Sequence, residues 1–241
     1  MASTSVTRAL RILTLVAHAD KPITLKQIAE ELEIPKSTAH GILRDLTQER
    51  FIDVCEPVGY TVGLKAFEVG AAHLRIAGVS GVISSELVEL SRALDITAHY
   101  AVLDGTEAVY LCKQDPVNAG IQLASSLGAR LPSHLTAVGK CCLAWLRPED
   151  VAEHVHSTGA EDPGCLREEL LRVREHGHAT DDGQVASGVQ CIAAPVFDPA
   201  GPRGAVGISY LKGGFPEVDT ATEAVRKSAA RLTAKLGGVQ R

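Results

Sequence analysis

Residues 24 to 48 constrain the fold of this chain more than any other segment. Two consecutive stretches repeat apolar residues with helical spacing: Leu25, Ile28, Ala29 and Leu32, then Ala39, Ile42, Leu43 and Leu46. Thr24 and Gln27 have the spacing of a capping box, and Pro35 suits the first turn of a new helix. Two short helices with one narrow apolar stripe each share a core by crossing, so the pattern predicts a helix-turn-helix.

The polar face of the second helix has the chemistry of a DNA-contacting surface. Hydroxyl, imidazole, guanidinium and amide groups follow one stripe from Ser37 to Gln48, opposite the apolar residues. Such groups contact phosphates and base edges in a major groove. With the preceding cap and the following hairpin, the predicted DNA contacts are Thr24, Lys36, Ser37, Thr38, His40, Gly41, Arg44 and Tyr60. A solvated helix face has a similar composition, so the flanking elements decide between the two interpretations.

Those flanking elements predict a winged helix. Residues 5 to 18 form a preceding amphipathic segment, with a predicted core face of Val6, Ala9, Leu10, Leu13, Val16 and Ala17. The β-prone runs 51–54 and 58–62 bracket Cys55-Glu56-Pro57, which indicates a hairpin with a proline-containing turn. We therefore expect a winged helix-turn-helix domain over residues 1–63.

Composition limits the class of protein. Of the 241 residues, 45% are hydrophobic, which is enough for a sizeable core. The chain shows neither a signal-peptide apolar core nor a run of the ~20 apolar residues that a membrane span needs. Six cysteines without a CxxC pair favour reduced thiols over a disulfide framework or a zinc site. We expect a cytoplasmic protein without a membrane partner.

The charge balance of residues 1–63 predicts that more than one subunit is needed to bind DNA. Residues 1–63 contain seven Lys/Arg and eight Asp/Glu, whereas DNA-binding domains usually have a basic surplus. The cations Lys36 and Arg44 nevertheless lie on the proposed DNA-contacting helix. We expect modest non-specific affinity and useful binding by a dimer or higher oligomer.

The remaining sequence predicts a linker helix and a second domain. Residues 64–78 read as the linker helix, which is a candidate to contact a partner chain, and residues 79–94 as a long helix. Strands are predicted at 96–103, 107–113, 121–125, 191–197 and 204–211, and further helices within 133–146, 162–176 and 216–236. Helices around an antiparallel sheet indicate an α+β sensor domain over residues 79–241.

Two segments of this domain are candidate ligand sites. Residues 136–140 lack the GxxxxGK[ST] spacing of a nucleotide loop, but free amides at a helix start can still bind a small carboxylate. The alternative is a plain capped helix. A polar loop precedes an apolar strand and suits the rim of a pocket: Asp181, Asp182, Gln184, Ser187 and Cys191.

Other chemistry stays open at this point. Cys191 with His178 nearby allows a cysteine hydrolase with an accessory DNA module, although no nucleophile-elbow pattern surrounds it. Adjacent Cys141 and Cys142 allow a thiol redox sensor, although core packing is favoured. The pairs His154/His156 and His176/His178 have ligand-like spacing on an extended chain. No third ligand is fixed by spacing, so no metal is predicted.

Three segments in order resemble the IclR (isocitrate lyase regulator) family of bacterial transcription factors: IPKSTAHGILRDLTQERFI, SHLTAVGKCCLAWL and DDGQVASGVQCIAAPVFD, over essentially the whole chain. The resemblance implies a non-enzymatic regulator without a cofactor. Its winged helix would bind palindromic operator DNA, its GAF-like α+β domain would bind a small carboxylate, aromatic acid or related effector, and dimers would pair into tetramers. By motif position it implies these effector contacts: Thr136, Ala137, Val138, Gly139, Asp181, Gln184, Cys191 and Ser209.

Three positions depart from the family pattern. Gly41 stands where a basic residue commonly follows the histidine, so Arg44 is expected to substitute and the operator sequence to differ. Gln184 replaces the signature glutamate, and Gly207 stands where a serine is frequent beside Ser209. These changes predict a pocket with less charge and more space, hence a larger or neutral effector.

Overall fold

A computed structural model describes residues 4–57, 59–76, 79–116, 126–158, 163–214 and 217–239. The predicted strand at 121–125 lies outside the described residues, as do Val58, Gly78 and Pro216 at the predicted element ends. The chain separates after residue 77 into two compact units, each of which has its own core.

The first unit contains the predicted winged helix. Its elements are α1 (Ser5–His18), α2 (Leu25–Glu31), α3 (Lys36–Gln48), β1 (Ile52–Cys55), β2 (Gly59–Val62) and α4 (Leu64–Ile76). The capping box forms as expected at the start of α2, and β1 pairs antiparallel with β2. Pro35 lies one residue earlier than predicted, at the N-cap of α3 rather than inside its first turn. The helix-turn-helix core consists of Ile12, Val16, Ile28, Ala29, Ala39, Leu43 and Ile52.

The predicted core face of α1 is wrong in part. Val6 and Leu10 are 69% and 60% exposed, and Ala17 is also exposed, whereas Ile12 and Val16 are buried. Apolar residues occupy so many positions of this helix that two different stripes fit the helical period. The contacts of α1 with α3 and β2 select the stripe that contains Ile12. The other stripe stays on the surface.

The second unit is built on an antiparallel sheet, as predicted. A short π-helix, Val79–Ile83, continues into α5 (Ser84–Leu94). The remaining elements are β3 (Thr97–Asp104), β4 (Glu107–Gln114), β5 (Arg130–Pro132), α6 (Ala137–Leu143), α7 (Pro148–Thr158), α8 (Pro163–His176), β6 (Ala179–Asp182), β7 (Val189–Asp198), β8 (Gly201–Leu211) and α9 (Val218–Lys235). The described strands have the order β5-β4-β3-β8-β7-β6. Among the described helices, none has the length and apolarity that a membrane crossing requires.

Both faces of this sheet are covered. Helix α6 contacts β3, β7 and β8, and its residues share an apolar cluster with Ala101, Ala193 and Ala205 of those strands. The alternate residues Ile192 and Ile208 are also buried, and α5 and α9 contact each other and the same sheet. The face under α6 is therefore enclosed, which sets the surroundings of the predicted effector contacts.

An ion-pair network that sequence reasoning missed joins α5 to α9. The Glu86 side chain is fully buried and accepts hydrogen bonds from Arg231 Nε at 2.8 Å and Lys235 Nζ at 3.2 Å. Burial alone would raise the pKa of this carboxyl, but the bonds from Arg231 and Lys235 lower it overall. The network fixes the two helices against each other, because a buried carboxylate requires its partners.

Candidate DNA-binding and effector sites

Helix α3 presents most of the predicted DNA contacts to solvent. Lys36, Ser37, His40 and Arg44 are exposed, and Thr38 and Gly41 are half-buried. Arg44 donates from Nε and Nη2 to Asp45 Oδ1 at 3.3 Å and 3.2 Å, but both side chains are about 70% exposed. An ion pair this exposed contributes little to stability, so the guanidinium is available for a ligand at small cost.

Thr24 and Tyr60 have structural contacts in addition. The Thr24 hydroxyl donates to Gln27 Oε1 at 2.7 Å and accepts from the Gln27 amide at 3.3 Å, so it maintains the cap of α2. Tyr60 pairs with Ile23 through both backbone groups and packs on the helix-turn-helix core. Residues 51–62, which contain the hairpin, carry Asp53 and Glu56 but neither lysine nor arginine. The cations of this surface therefore come from α3 rather than from the wing.

Strand pairing brings three predicted effector contacts into one row. Asp181 of β6 lies opposite Cys191 of β7, and Cys191 lies opposite Ser209 of β8, which in turn pairs with Thr97 of β3. Cys191 Sγ lies 3.2 Å from Ser209 Oγ. Asp181, predicted to lie in a loop, is instead part of edge strand β6, because its backbone pairs with β7.

Two residues that sequence reasoning missed extend this row. His99 is buried on β3, with Nδ1 3.5 Å from Ser209 Oγ and its ring centroid 5.2 Å from that of Tyr110. Burial, and secondarily the charge of Lys113, lowers the pKa of His99 to about 3, so the imidazole is neutral. Burial also raises the pKa of Tyr110, and Cys191 and Asp181 add to that shift. His99 and Tyr110 thus add two neutral hydrogen-bonding groups to the row.

The expectation of extra space at Gly207 is wrong. A Cβ on Gly207 would lie 2.8 Å from His99 Nε2 and 2.9 Å from the Ile192 carbonyl oxygen. His99 faces Gly207 across the β3–β8 pair, so its imidazole fills the volume that a side chain would take. Only the strand register reveals this complementarity, because the two residues are far apart in sequence.

The start of α6 provides the other predicted contacts. Thr136 is the N-cap, and its Oγ1 accepts from the Gly139 amide at 3.1 Å. Ala137, Val138 and Gly139 are buried, and a Cβ on Gly139 would overlap the Ser133 backbone. The cap uses the Gly139 amide, which leaves the first two amides of the helix without an intrahelical acceptor. If a carboxylate binds at this helix start, as predicted, the backbone amides available to it are those of Ala137 and Val138.

The side chain of Gln184 bonds to Lys140, and only its backbone amide contacts the row of Asp181, Cys191 and Ser209. Its Oε1 accepts from the buried Lys140 ammonium at 2.5 Å, while its backbone amide donates to Asp181 Oδ1 at 2.8 Å. Burial raises the pKa of Asp181, although the Gln184 amide and Lys140 oppose the shift. Gln184 therefore holds the loop and Asp181 in place. Because glutamine stands where the family has glutamate, the negative charge that is missing is one beside the Lys140 ammonium.

Cys191, Cys141 and Cys142 lack the features of reactive cysteines. Burial raises the pKa of Cys191 to about 12, and the hydroxyl 3.2 Å from its Sγ, that of Ser209, is a hydrogen-bond partner rather than a base. Cys141 and Cys142 are buried in the core, as favoured from sequence, and burial raises the pKa of each. Neither a Cys191 hydrolase nor a thiol switch gains support from these surroundings.

The histidine pairs differ from the extended arrangement expected. His154 and His156 lie on α7, where His154 is buried with Nε2 2.6 Å from Ser133 Oγ and His156 is exposed. His176 ends α8, and its ring centroid lies 6.3 Å from that of His178. Within the part of the chain that the structure describes, no group of three His, Cys, Asp or Glu residues is arranged to hold a metal ion.

Comparison with known families identifies the two units. The model for the bacterial transcriptional regulator IclR C-terminal domain matches residues 71–234, and that for the IclR helix-turn-helix domain matches residues 5–54. The chain belongs to the IclR family of bacterial transcriptional regulators. Its first unit is the DNA-binding domain of such a regulator, as the α3 surface indicates.

Relatives match along nearly the whole chain. The transcriptional repressor IclR of Escherichia coli is 29% identical, over 98% of this chain and 91% of its own length. The regulator XynR of Escherichia coli is 33% identical over 80% of each. The structure of Pseudomonas aeruginosa HmgR covers 97% of this chain and 99% of its own at 26% identity, with a TM-score of 0.82. An IclR homologue from Microbacterium hydrocarbonoxydans, complexed with 4-hydroxybenzoate, shares the fold at 20% identity, with 97% and 99% coverage and a TM-score of 0.83.

Proposed function

We propose that this IclR-family regulator binds a palindromic operator through α3 as a dimer, and that a small acid bound in the second unit controls that binding. The observation that carries the effector proposal is the enclosed row of polar groups in which the carboxyl of Asp181 lies beside Cys191, Ser209, His99 and Tyr110. These groups suit the polar substituents of an aromatic or carboxylic acid, such as the 4-hydroxybenzoate of the Microbacterium hydrocarbonoxydans homologue.

The charge distribution supports a dimer. The wing offers acidic side chains, and the domain has no basic surplus, so a single copy gains little from phosphate attraction. Two copies that read successive half-sites double the specific contacts. Exposed Val6 and Leu10 of α1 and Phe67 of α4 supply an apolar surface for a second copy. We also propose the domain boundaries 1–63, 64–78 and 79–241, pairing of dimers into tetramers, and a cytoplasmic location, which is where a bacterial operator lies.

DNA contact is tested with Arg44→Ala and the matched control Lys26→Ala, an exposed cation on α2 that pairs with Glu30. With operator fragments selected from genomic DNA, fluorescence anisotropy at fixed salt should show a loss of about 1–3 kcal/mol for Arg44→Ala. That loss is roughly a 5- to 150-fold rise in Kd. Lys26→Ala should bind like the parent. Equal affinity of both variants would exclude Arg44 as a DNA contact.

Effector binding is tested by a thermal-shift screen of small aliphatic and aromatic acids, including 4-hydroxybenzoate. An acid at about 100 times its Kd should stabilise the protein by about 2.7 kcal/mol and raise Tm. Ser209→Ala should reduce the shift, since the row loses a hydroxyl, whereas Ser157→Ala, at an exposed position of α7, should not. A shift that is the same in both variants would place the acid elsewhere.

The dimer is tested by Leu10→Glu, which puts a charge on the exposed stripe of α1. Light scattering should show a smaller assembly for Leu10→Glu than for the parent. The control is Lys26→Glu, at an exposed position of α2 outside this stripe. Unchanged mass for Leu10→Glu would remove the α1 stripe from the interface.

A further inference from the structure

A second cleft lies outside the row of predicted effector contacts. It has a volume of about 200 Å³ and lies between α6, α8 and the start of β6. Its lining consists of Lys140, Glu169, Arg172, Val173, His176, His178, Ala179 and Thr180. Of these eight residues only Lys140 belongs to a candidate ligand segment, residues 136–140, and none is among the named effector contacts, so the function proposed above does not account for the cleft.

The lining of this cleft is rich in cationic and imidazole groups. Arg172 and His176 belong to α8, and His178 follows one residue after the glycine that ends the helix. In the described part of the chain the Arg172 guanidinium has neither a hydrogen bond nor an ion pair. A further cation, Arg226 of α9, has its Nε 3.6 Å from the position of a Cβ on Gly177, although it also pairs with Glu223. The Arg172 guanidinium therefore gives the cleft hydrogen-bond donors that no acceptor of the described residues occupies.

The one carboxylate of the lining is already neutralised. Glu169 Oε2 lies 2.8 Å from Lys140 Nζ, whose side chain is 4% exposed. The same ammonium donates to Gln184 Oε1 and to the Thr180 carbonyl, so its three protons are used. With Lys140 and Glu169 paired at the floor, the remaining charge of the cleft is positive. The unpaired donors are those of Arg172. Of the two imidazoles beside it, His178 Nδ1 lies 3.3 Å from the His176 carbonyl oxygen and His176 Nε2 lies 4.0 Å from Glu175 Oε2, which leaves the other ring nitrogen of each for a ligand.

We propose that this cleft binds a small oxyanion, the phosphate or clustered carboxylates of a metabolite. An arginine guanidinium matches two oxygens of a phosphate or carboxylate at once, which makes an unpaired arginine in a concave site a specific receptor for such groups. A volume of about 200 Å³ admits a phosphate or a compact polycarboxylate but not a macromolecule. Imidazole nitrogens at His176 and His178 supply further donors to the same oxygens.

The test uses inorganic phosphate as the probe for a phosphorylated metabolite and citrate as the probe for a polycarboxylate. Isothermal titration calorimetry of the full chain is run at constant ionic strength with chloride as the balancing anion. The parent, Arg172→Gln and the matched control Arg167→Gln are compared, because Arg167 is also exposed on α8 but faces a different groove. Circular dichroism verifies that both variants fold.

We expect phosphate, citrate or both to bind the parent, with at least a tenfold weaker Kd in Arg172→Gln and an unchanged Kd in Arg167→Gln. Binding of phosphate alone assigns a phosphorylated metabolite, and binding of citrate alone a polycarboxylate. The absence of heat with both probes at millimolar concentration overturns the proposal. Equal losses in the two arginine variants also overturn it, since they indicate non-specific screening. The Ser209→Ala thermal-shift experiment is independent of either outcome.

Discussion

Helices α3 and α6 both carry predicted ligand contacts, and each includes a glycine among them, yet the two glycines have opposite surroundings. Around Gly41, apart from its chain neighbours and the backbone of its own helix, no described heavy atom lies within 4 Å of the position that a Cβ would take. All seven residues of α6 are buried, and a Cβ on Gly139 would overlap the Ser133 backbone. Helix α3 touches the core on one side only, whereas α6 is enclosed.

This difference separates two ways of building a binding site. On α3 the candidate DNA contacts are side chains that the fold does not require, such as exposed His40 and Arg44. Around α6 the candidate effector contacts also fill the core, as Ser209 and His99 do. Substitutions on α3 should therefore alter binding with little effect on stability, whereas substitutions around α6 should alter both. Four substitutions test the contrast.

Gly139→Ala should have the largest effect. The new methyl group collides with the Ser133 backbone, which cannot move aside as a flexible side chain can. We expect the free energy of unfolding to fall by about 3 kcal/mol, at the upper end of overpacking costs. Urea unfolding measures the change. Gly70→Ala is the control, because Gly70 of α4 also lies in a helix but has open space around it. Equal stabilities of the two variants would contradict the enclosed position of α6.

Gly207→Ser comes next. Its Cβ would meet the His99 ring and the Ile192 carbonyl, so we expect a loss of about 1–3 kcal/mol in the free energy of unfolding. Part of that loss should disappear when His99 is replaced by alanine. A double-mutant cycle should give a coupling of at least about 0.5 kcal/mol. Additive effects would show that His99 does not fill the space beside Gly207.

The pH dependence of stability tests the burial of His99. Its folded pKa, about 3, lies below the ordinary value of 6.5, so the unfolded chain takes up a proton before the folded one does. Stability should therefore fall as the pH drops below 6.5 and continue to fall toward pH 3. Between pH 6.5 and 5.5 this one group contributes about 1 kcal/mol.

His99→Asn should show a smaller loss over the same pH interval in urea unfolding. Because the other titrating groups are common to both proteins, the difference between the two curves isolates His99. His18→Asn, at the exposed end of α1, is the control for removal of an imidazole. Parallel curves for His99→Asn and the parent would contradict a neutral, buried His99.

The same contrast explains what the sequence could predict. Elements defined by local periodicity and caps were predictable: α2 with its capping box, strands β3 and β4 and the capped start of α6. Residue patterns also identified the exposed face of α3, because one helix determines which of its residues share a side. The stripe of α1 failed where nearly every position is apolar, since only tertiary contacts choose between stripes.

Contacts between distant strands were beyond a local pattern. His99 and Gly207 are complementary only through the β3–β8 register, and strand β6 is held by β7 rather than by its own polar sequence. Glu86 lies on the buried side of α5 because Arg231 and Lys235 of the last helix reach it. The family resemblance supplied Asp181, Cys191 and Ser209, but His99 and Tyr110 needed the three-dimensional arrangement.

Gly41→Ala should have the smallest effect, and its sign is opposite to that of Gly139→Ala. Alanine restricts the unfolded chain and suits a helix, so the free energy of unfolding should rise by about 0.5–1 kcal/mol. Gly70→Ala should give a gain of the same sign. Arginine at the same two positions tests DNA contact instead of stability. Gly41→Arg should lower the Kd for the operator by a few fold at low salt, because it adds a cation to the α3 stripe. Gly70→Arg, with the same added charge away from α3, should not. If both arginine variants strengthen binding equally, the gain comes from net charge, and the α3 stripe is not the surface that contacts the operator.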